Sequence, residues 1–257
     1  MGIFISVEKT VECVLIALCF GALLTMSSVK LLGALQGCNY SSGKLMRWVA
    51  KRSNMSFERL LLLGMLCALS CAIVSLCFSF AGQWAAVVGL VPYAVFFAVY
   101  IYADGKIALR VPAVRTKRFK RLEAVLFAVT AIISYFVITL LNFAAEVWQQ
   151  QLFTVLRYCA LALLPVLLIP MICLANEIAK IYEVPHNRTY IKKATAKIAS
   201  SDITVVGITG SYGKTSTKNI LSAMLGKKYR VLTTPRSHNT PIGISLAVNA
   251  NDLADYD

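Results

Sequence analysis

Apolar residues fall in long unbroken runs over the first two-thirds of this chain and in short periodic stretches after it. A bilayer-crossing helix needs about 20 mostly apolar residues. Five stretches reach that length: roughly Val11–Val29, Leu60–Phe80, Trp84–Ala103, Ala124–Phe143 and Phe153–Ala175. The pattern predicts an N-terminal five-helix transmembrane bundle over residues 1–175. Only Ala81, Gly82 and Gln83 separate the second and third runs, which predicts a tight hairpin. Pro165 and Pro170 predict a kink or an early end in the fifth. The first run does not read as a signal peptide: Glu8 and Glu12 flank Lys9 ahead of it, and no small-residue cleavage site follows.

Polarity rises at Asn176, the expected domain boundary. Residues 176–200 read as a connecting, partly helical segment, broken at Pro185, with Ile191, Ala194 and Ile198 on one face. The β-branched run Ile203–Thr209 predicts a buried parallel strand. A helix follows over Lys214–Leu225, with Ile220, Leu221, Met224 and Leu225 as its buried stripe and Gly226 as its stop. Tyr229–Thr234 predicts a second strand, and a last helix starts near Pro241. Strand, loop, helix and strand in that order predict the start of an α/β domain with a parallel sheet over residues 201–257.

Composition sharpens the first half. Of the 257 residues, 58% are hydrophobic, above the roughly 45–50% of a soluble domain. The net charge of +14 could suggest nucleic acid, but its placement argues for topology instead, and no nucleic-acid partner is expected. Lys44, Arg47, Lys51, Arg52 and Arg59 follow the first run. Lys106, Arg110, Arg115, Lys117, Arg118, Lys120 and Arg121 follow the third, and Lys180, Arg188, Lys192, Lys193 and Lys197 follow the fifth. The opposite side carries Lys9 with its two glutamates and Glu146. The positive-inside rule then places the N-terminus outside and everything after the fifth run in the cytoplasm of a multi-pass plasma-membrane protein. Tyr40, Trp48, Phe57 and Phe119 in the basic loops suit interfacial anchoring, or a site for anionic headgroups or a lipid-linked pyrophosphate. Arg157 reads as snorkelling to the interface. The eight cysteines contain no C-x-x-C pair and read as small apolar residues.

Candidate chemistry lies between the two expected strands. Gly207-Ile-Thr-Gly-Ser-Tyr-Gly-Lys-Thr-Ser-Thr217 has the parts of a phosphate-binding loop. Gly210 and Gly213 let the backbone approach an anion, and N–H groups at a helix start point at it. The standard pattern requires glycine where Ile208 stands, so the core here is the shorter Gly-Ser-Tyr-Gly-Lys-Thr. Gly210, Ser211, Tyr212, Gly213, Lys214, Thr215 and Ser216 form the expected nucleotide cradle. Lys214 is the expected catalytic cation on the β/γ-phosphates, and Thr215 the Mg²⁺ ligand. The bland alternative, a solvated glycine turn, explains neither flanking element. Thr234-Pro-Arg-Ser-His-Asn-Thr-Pro-Ile-Gly243 then sits at a strand end, where ligands bind in α/β sheets. His238 reads as a surface residue, and Tyr212 as packing over the loop.

These two motifs together resemble the Mur ligase family, most of all the branch that adds D-alanyl-D-alanine to the muramyl tripeptide, in forms preceded by membrane helices. Folylpolyglutamate synthetases share a similar first loop but are expected to differ in the second. The resemblance covers roughly residues 176–257. It implies ATP and Mg²⁺, an acyl phosphate on a substrate carboxylate, and attack by an amine to form an amide. It assigns Asn239 and Thr240 to a second loop near phosphate, metal and substrate. A turn-forming Asn-Thr-Pro is the structural alternative for that pair. Two departures stand out. The family's next feature, a strand ending in a metal-binding glutamate, is not reached by Asp257, so the chain reads as an incomplete ligase, inactive alone. Hydrophobic runs also replace the usual UDP-sugar domain, so the partners expected are the lipid bilayer and a UDP- or lipid-linked muramyl peptide. A non-catalytic membrane protein with a partial nucleotide domain is the alternative. A transporter is disfavoured, because the apolar runs hold almost no ionisable groups.

Overall fold

A computed structural model describes residues 7–51, 56–77, 84–105, 113–147, 160, 164–235 and 240–257. The chain divides into two compact units, Met1–Ala179 and Lys180–Asp257.

The first unit is helical. Its elements are α1 (Val7–Ser27), α2 (Val29–Gly37), α3 (Ser42–Val49), α4 (Ser56–Cys77), α5 (Trp84–Gly105) and α6 (Lys117–Val147). The long helix α7 (Leu168–Ala199) starts in this unit and continues into the next. Its core holds Phe20, Leu24, Leu32, Leu35, Leu45, Leu60, Phe97, Phe119, Leu126 and Ile172.

The helices α1 and α6 pack on one another through small residues. A Cβ added at Gly21 would lie 2.9 Å from the Ala131 Cβ and 3.2 Å from its backbone. Beside this contact the Thr130 hydroxyl reaches Gly21 O at 3.3 Å, and Asn142 Nδ2 donates to Cys13 Sγ at 3.2 Å. The outward faces are apolar. Val11, Val14, Leu15, Leu18 and Met26 are exposed on α1, and Ile132, Phe136, Leu140 and Phe143 on α6.

The expected five-helix transmembrane bundle needs correction. Among the described residues, one helix stretch, Lys117–Phe143 of α6, is long and apolar enough to cross a membrane, or two if a bent pair counts as one span. That pair is the first expected span, which does not end at Val29. It breaks at Ser28 and bends by 48° into α2. The cause is a run of hydroxyls. Thr25 Oγ1 donates to Gly21 O at 2.7 Å, Ser27 Oγ to Leu24 O at 2.8 Å and Ser28 Oγ to Thr25 O at 2.6 Å. Such back-bonding competes with the helix ladder and bends it.

The second and third expected spans are helical as α4 and α5. The described part of α5 that stands as an apolar helix is Ala94–Ala103, too short to span. The hairpin residues Ala81–Gln83 and most of the fifth expected span, including Arg157, lie outside the described residues. What is described of that span is a turn over 164–167 followed by α7. Pro165 precedes α7 and Pro170 sits in its first turn, where proline costs no helix bond. Pro185 does not break the connecting segment: α7 runs through it. Its missing N–H deprives the Ile181 carbonyl, and Ile181 is 76% exposed, so water can serve that carbonyl.

The second unit holds the end of α7, then α8 (Lys214–Leu225), α9 (Pro241–Ala250) and a 3-10 turn over Leu253–Asp255. The expected parallel sheet is absent among the described residues. Residues 202–210 and 230–234 flank α8 without regular structure. A buried parallel strand needs a ladder of hydrogen bonds to neighbouring strands and helices over both faces; among the described residues neither segment forms such a ladder, and Val205 and Val206 are 65% and 57% exposed. The expected buried stripe of α8 is open for the same reason, with Ile220 and Met224 exposed and no residue of the helix buried. Gly226 continues right-handed at φ −61°. The core of this unit is small. Ala194, Val248 and Leu253 are buried, with Ile198, Ile203 and Leu232 packed against them. Asn249 Nδ2 donates to Tyr190 O at 3.0 Å, and the Lys197 ammonium to Asn251 O, fastening α9 to α7.

Gly21→Val should overpack the α1–α6 contact and lower stability by about 1–3 kcal/mol, read as a reduced melting temperature of the detergent-solubilised chain by circular dichroism. An unchanged melting temperature would mean the two helices do not approach this closely.

Asp257 and Arg230 supply a second expectation. The Arg230 guanidinium donates to Asp257 Oδ1 at 3.1 Å, and the Arg230 N–H to Oδ2 at 2.7 Å. The side-chain bond first, then the backbone bond, holds the Asp257 carboxyl below its ordinary 3.8. For a depressed acid, the stabilisation is present above the unfolded value and is lost as pH falls through the folded one. Carboxyl carbon shifts in an NMR titration should therefore move below pH 3.8 in the native chain, and Arg230→Gln should bring the midpoint back up.

Candidate phosphate-binding site

The turn before α8 has a backbone that only glycine adopts freely. Gly210 has φ +150° and Gly213 has φ +77°. Gly213 is the N-cap of α8, and no side chain caps that end. The first intrahelical bond runs from the Thr217 N–H to Gly213 O at 2.8 Å. The N–H groups of the first helical residues precede it, and these are the donors a helix leaves unpaired at its start. With the helix dipole they favour an anion. A side chain at Gly213 would meet no neighbouring atom, so glycine is required there by its left-handed φ and not by space.

The side chains around this turn are accessible. Ser211, Thr215 and Ser216 are exposed, Tyr212 is 96% exposed, and Lys214 is half-buried. Tyr212 therefore does not pack over the loop. The Lys214 ammonium folds back and donates to Gly210 O, so it lies across the turn it belongs to. One helical turn further on, Lys218 Nζ donates to Thr234 O at 2.6 Å. This ties the start of α8 to the segment leading into the second motif. Sequence reasoning passed over Lys218. The available signal was its spacing, four residues after Lys214 and on the same helix face.

Of the second motif, residues 236–239 lie outside the described residues, among them His238 and Asn239. Thr240 is described, and it is the N-cap of α9: its hydroxyl accepts from the Gly243 N–H at 3.2 Å. That is the structural role a Thr-Pro pair predicts at a helix start. The hydroxyl proton remains available to a second partner. The structure thus brings the first motif and Thr234 together through Lys218, and gives Thr240 a capping bond. Among the described residues no group of three or more His, Cys, Asp or Glu side chains could hold a metal. A cation at the turn would rest on Thr215 and on the phosphates themselves, the usual manner of Mg²⁺ at a nucleotide.

Comparison with known proteins bears on this segment directly. Residues 208–256 match the Mur ligase middle domain. The match begins one residue after Gly207 and takes in the glycine turn, α8, Lys218, Thr234, Thr240 and α9. The UDP-N-acetylmuramoyl-tripeptide--D-alanyl-D-alanine ligase of Bacillus subtilis is 50% identical over 46 residues, 18% of this chain and 10% of that protein. The proteins of the same name from Mycobacterium bovis and Mycobacterium tuberculosis are each 31% identical over 103 residues, 36% of this chain and 20% of theirs. The chain therefore spans about a tenth to a fifth of the length of the curated relatives it matches. No solved structure matches it.

Gly213→Ala should test the turn. A left-handed φ costs a non-glycine residue roughly 1–2 kcal/mol, a factor of about 5–30 in any equilibrium that needs this conformation. Phosphate or nucleotide affinity measured by calorimetry should fall by that factor while helix content by circular dichroism stays level. Equal affinity would show that the turn does not present its N–H groups to the anion.

Proposed function

We propose that this chain carries the phosphate-binding part of an ATP-dependent amide ligase that acts on a peptidoglycan precursor. One observation carries this reading. A helix start with no side-chain cap, reached through two positive-φ glycines and followed by Lys-Thr, lies inside the segment that matches the Mur ligase middle domain. ATP is the co-substrate in this reading, with Mg²⁺ held by the Thr215 hydroxyl and the phosphates. The metal supplies charge neutralisation at the transferring phosphoryl group. The chain's own residues do the rest. The N–H groups at the start of α8 hold phosphate oxygens. Lys214 releases Gly210 O and turns its ammonium to the β/γ-phosphates. Lys218 keeps the Thr234 segment beside the helix so that Asn239 and Thr240 approach the same anion. Both ATP and a substrate carboxylate are negative, so positioning and cationic charge do most of the catalytic work in such a reaction. The acceptor in this reading is a UDP- or lipid-linked muramyl peptide.

The reading includes a membrane tether. Support comes from the Lys117–Phe143 stretch of α6, whose most apolar 18 residues are 28% buried inside the molecule, and from the apolar outer faces of α1 and α6. A soluble monomer rarely exposes so large an apolar surface. The basic start of α6, Lys117 to Arg121, against Glu146 near its end favours a cytoplasmic location for that start.

Lys214→Ala should lower ATP affinity of the purified chain at least tenfold, or about 1.4 kcal/mol, in a calorimetric titration with Mg²⁺ present. Retained affinity sinks the nucleotide assignment. Where affinity falls as expected, the acceptor is tested by titrating UDP-linked and lipid-linked muramyl peptides into the nucleotide-loaded chain, and binding of the soluble one alone counts against a lipid-linked acceptor.

A further inference from the structure

The stretch of α7 from Lys180 to Lys193 carries one exposed stripe. Advancing at about 100° per residue, Ile181, Pro185, Arg188 and Lys192 fall within about 60° of one another on the helix. All four are exposed, Ile181 at 76%. Val184, on one border of the stripe, is 43% exposed, and Tyr182, on the other, is 60% exposed. Tyr182 also opens a row of rings, its centroid 5.6 Å from that of His186, which lies 5.0 Å from that of Tyr190. The opposite side of the helix faces inward, where Glu183 and Ala194 are buried.

The stripe changes character along its length. Ile181, Val184 and Pro185 are apolar, whereas Arg188 and Lys192 are cations, and Lys192 stands about 16 Å further along the axis than Ile181. Lys193 is a third exposed cation beside them. Glu183 is the one acid between Lys180 and Lys193, and it lies on the buried side.

Pro185 sets the depth at which such a stripe can sit. It has no N–H for the Ile181 carbonyl. In hydrocarbon no water would serve that carbonyl, so this turn is unsuited to the core of a bilayer. At the headgroup layer water reaches it, while Ile181 and Val184 still meet acyl chains. Tyrosine and basic side chains favour the same depth. Chain distance agrees: the helical unit, with its apolar outer faces, ends at Ala179, two residues before Ile181.

We propose that this stripe of α7 is a seat on an anionic lipid surface. Ile181, Val184 and Pro185 enter the boundary between headgroups and acyl chains, and Arg188, Lys192 and Lys193 meet lipid phosphates. The proposal rests on the membrane tether described above. Attraction of these cations to anionic headgroups falls off within a Debye length, so the apolar residues must hold the helix at the surface. A second copy of this chain fits the stripe less well, because a stripe with three cations and no acid offers its twin no countercharge.

The test uses the full chain in nanodiscs of phosphatidylcholine mixed with phosphatidylglycerol. A nitroxide is carried on a genetically encoded keto residue in place of Ile181, which leaves the eight cysteines alone. A second sample carries it in place of Ile220, 62% exposed on α8. The ratio of oxygen to nickel-chelate collision rates should be about fivefold higher at the first position than at the second. Arg188→Gln with Lys192→Gln should lower the first ratio about threefold, and so should replacing phosphatidylglycerol by phosphatidylcholine. Equal ratios at the two positions overturn the seat, as does a first ratio indifferent to both charge changes. Spin–spin broadening at the first position that unlabelled chain dilutes away also overturns it, in favour of a second copy. Alkaline extraction of cell membranes separates this proposal from the tether. Release of the chain sinks both, whereas retention with a water-exposed label at the first position sinks the seat alone.

Discussion

The left-handed backbone at Gly213 is the constraint on which the turn before α8 and the start of that helix depend. It turns the chain out of an extended approach and into α8 within one residue, and leaves that helix without a side-chain cap. Had a serine or aspartate stood there, its oxygen would have occupied one of the free N–H groups. Glycine leaves them without a side-chain cap. Lys214 folds back across the turn it belongs to, its ammonium donating to Gly210 O. Lys218 extends the same logic by one helical turn, using its charge to hold Thr234.

A different kind of contact organises the helical unit. Gly21 and Ala131 let α1 and α6 approach until their backbones nearly touch, and the hydroxyls of Thr25, Ser27 and Ser28 bend the first helix within a few residues of that contact. Close approach through small residues gains van der Waals contact without needing water to be expelled. Larger apolar side chains divide between the two sides: Phe20, Leu24, Leu122 and Leu126 are buried, whereas Leu15, Leu18, Ile132 and Phe136 point outward. At the far end, the paired bonds of Gln36 with Val114 and the stacking of Arg118 on Tyr40 fasten α2 to the start of α6.

Helices were the most legible elements. Lys214–Leu225 and a helix starting at Pro241 follow from local chemistry, glycine before one and Thr-Pro before the other, and both are present. Strands were legible only as extended apolar segments. Ile203–Thr209 has a strand's composition, yet composition cannot supply a neighbour to bond with, and in this structure Val205 and Val206 stand open. The first apolar run shows the reverse difficulty. Its hydropathy is continuous, but three hydroxyl groups redirect the helix, and a hydropathy pattern does not register a side chain bonding to its own backbone.

The sequence by itself determined the glycine turn, the Lys-Thr that follows it, the helix that starts near Pro241 and the division into an apolar first part and a polar second part. Each of these depends on residues within a few positions of one another, and such short-range chemistry is written in the order of the chain. Tertiary structure alone decided the bend at Ser28, the unpaired extended segments beside α8, the bond from Lys218 to Thr234 and the meeting of Arg118 with Tyr40. Each of those depends on which distant groups come within a few ångströms, or fail to, and no periodicity along the chain encodes that.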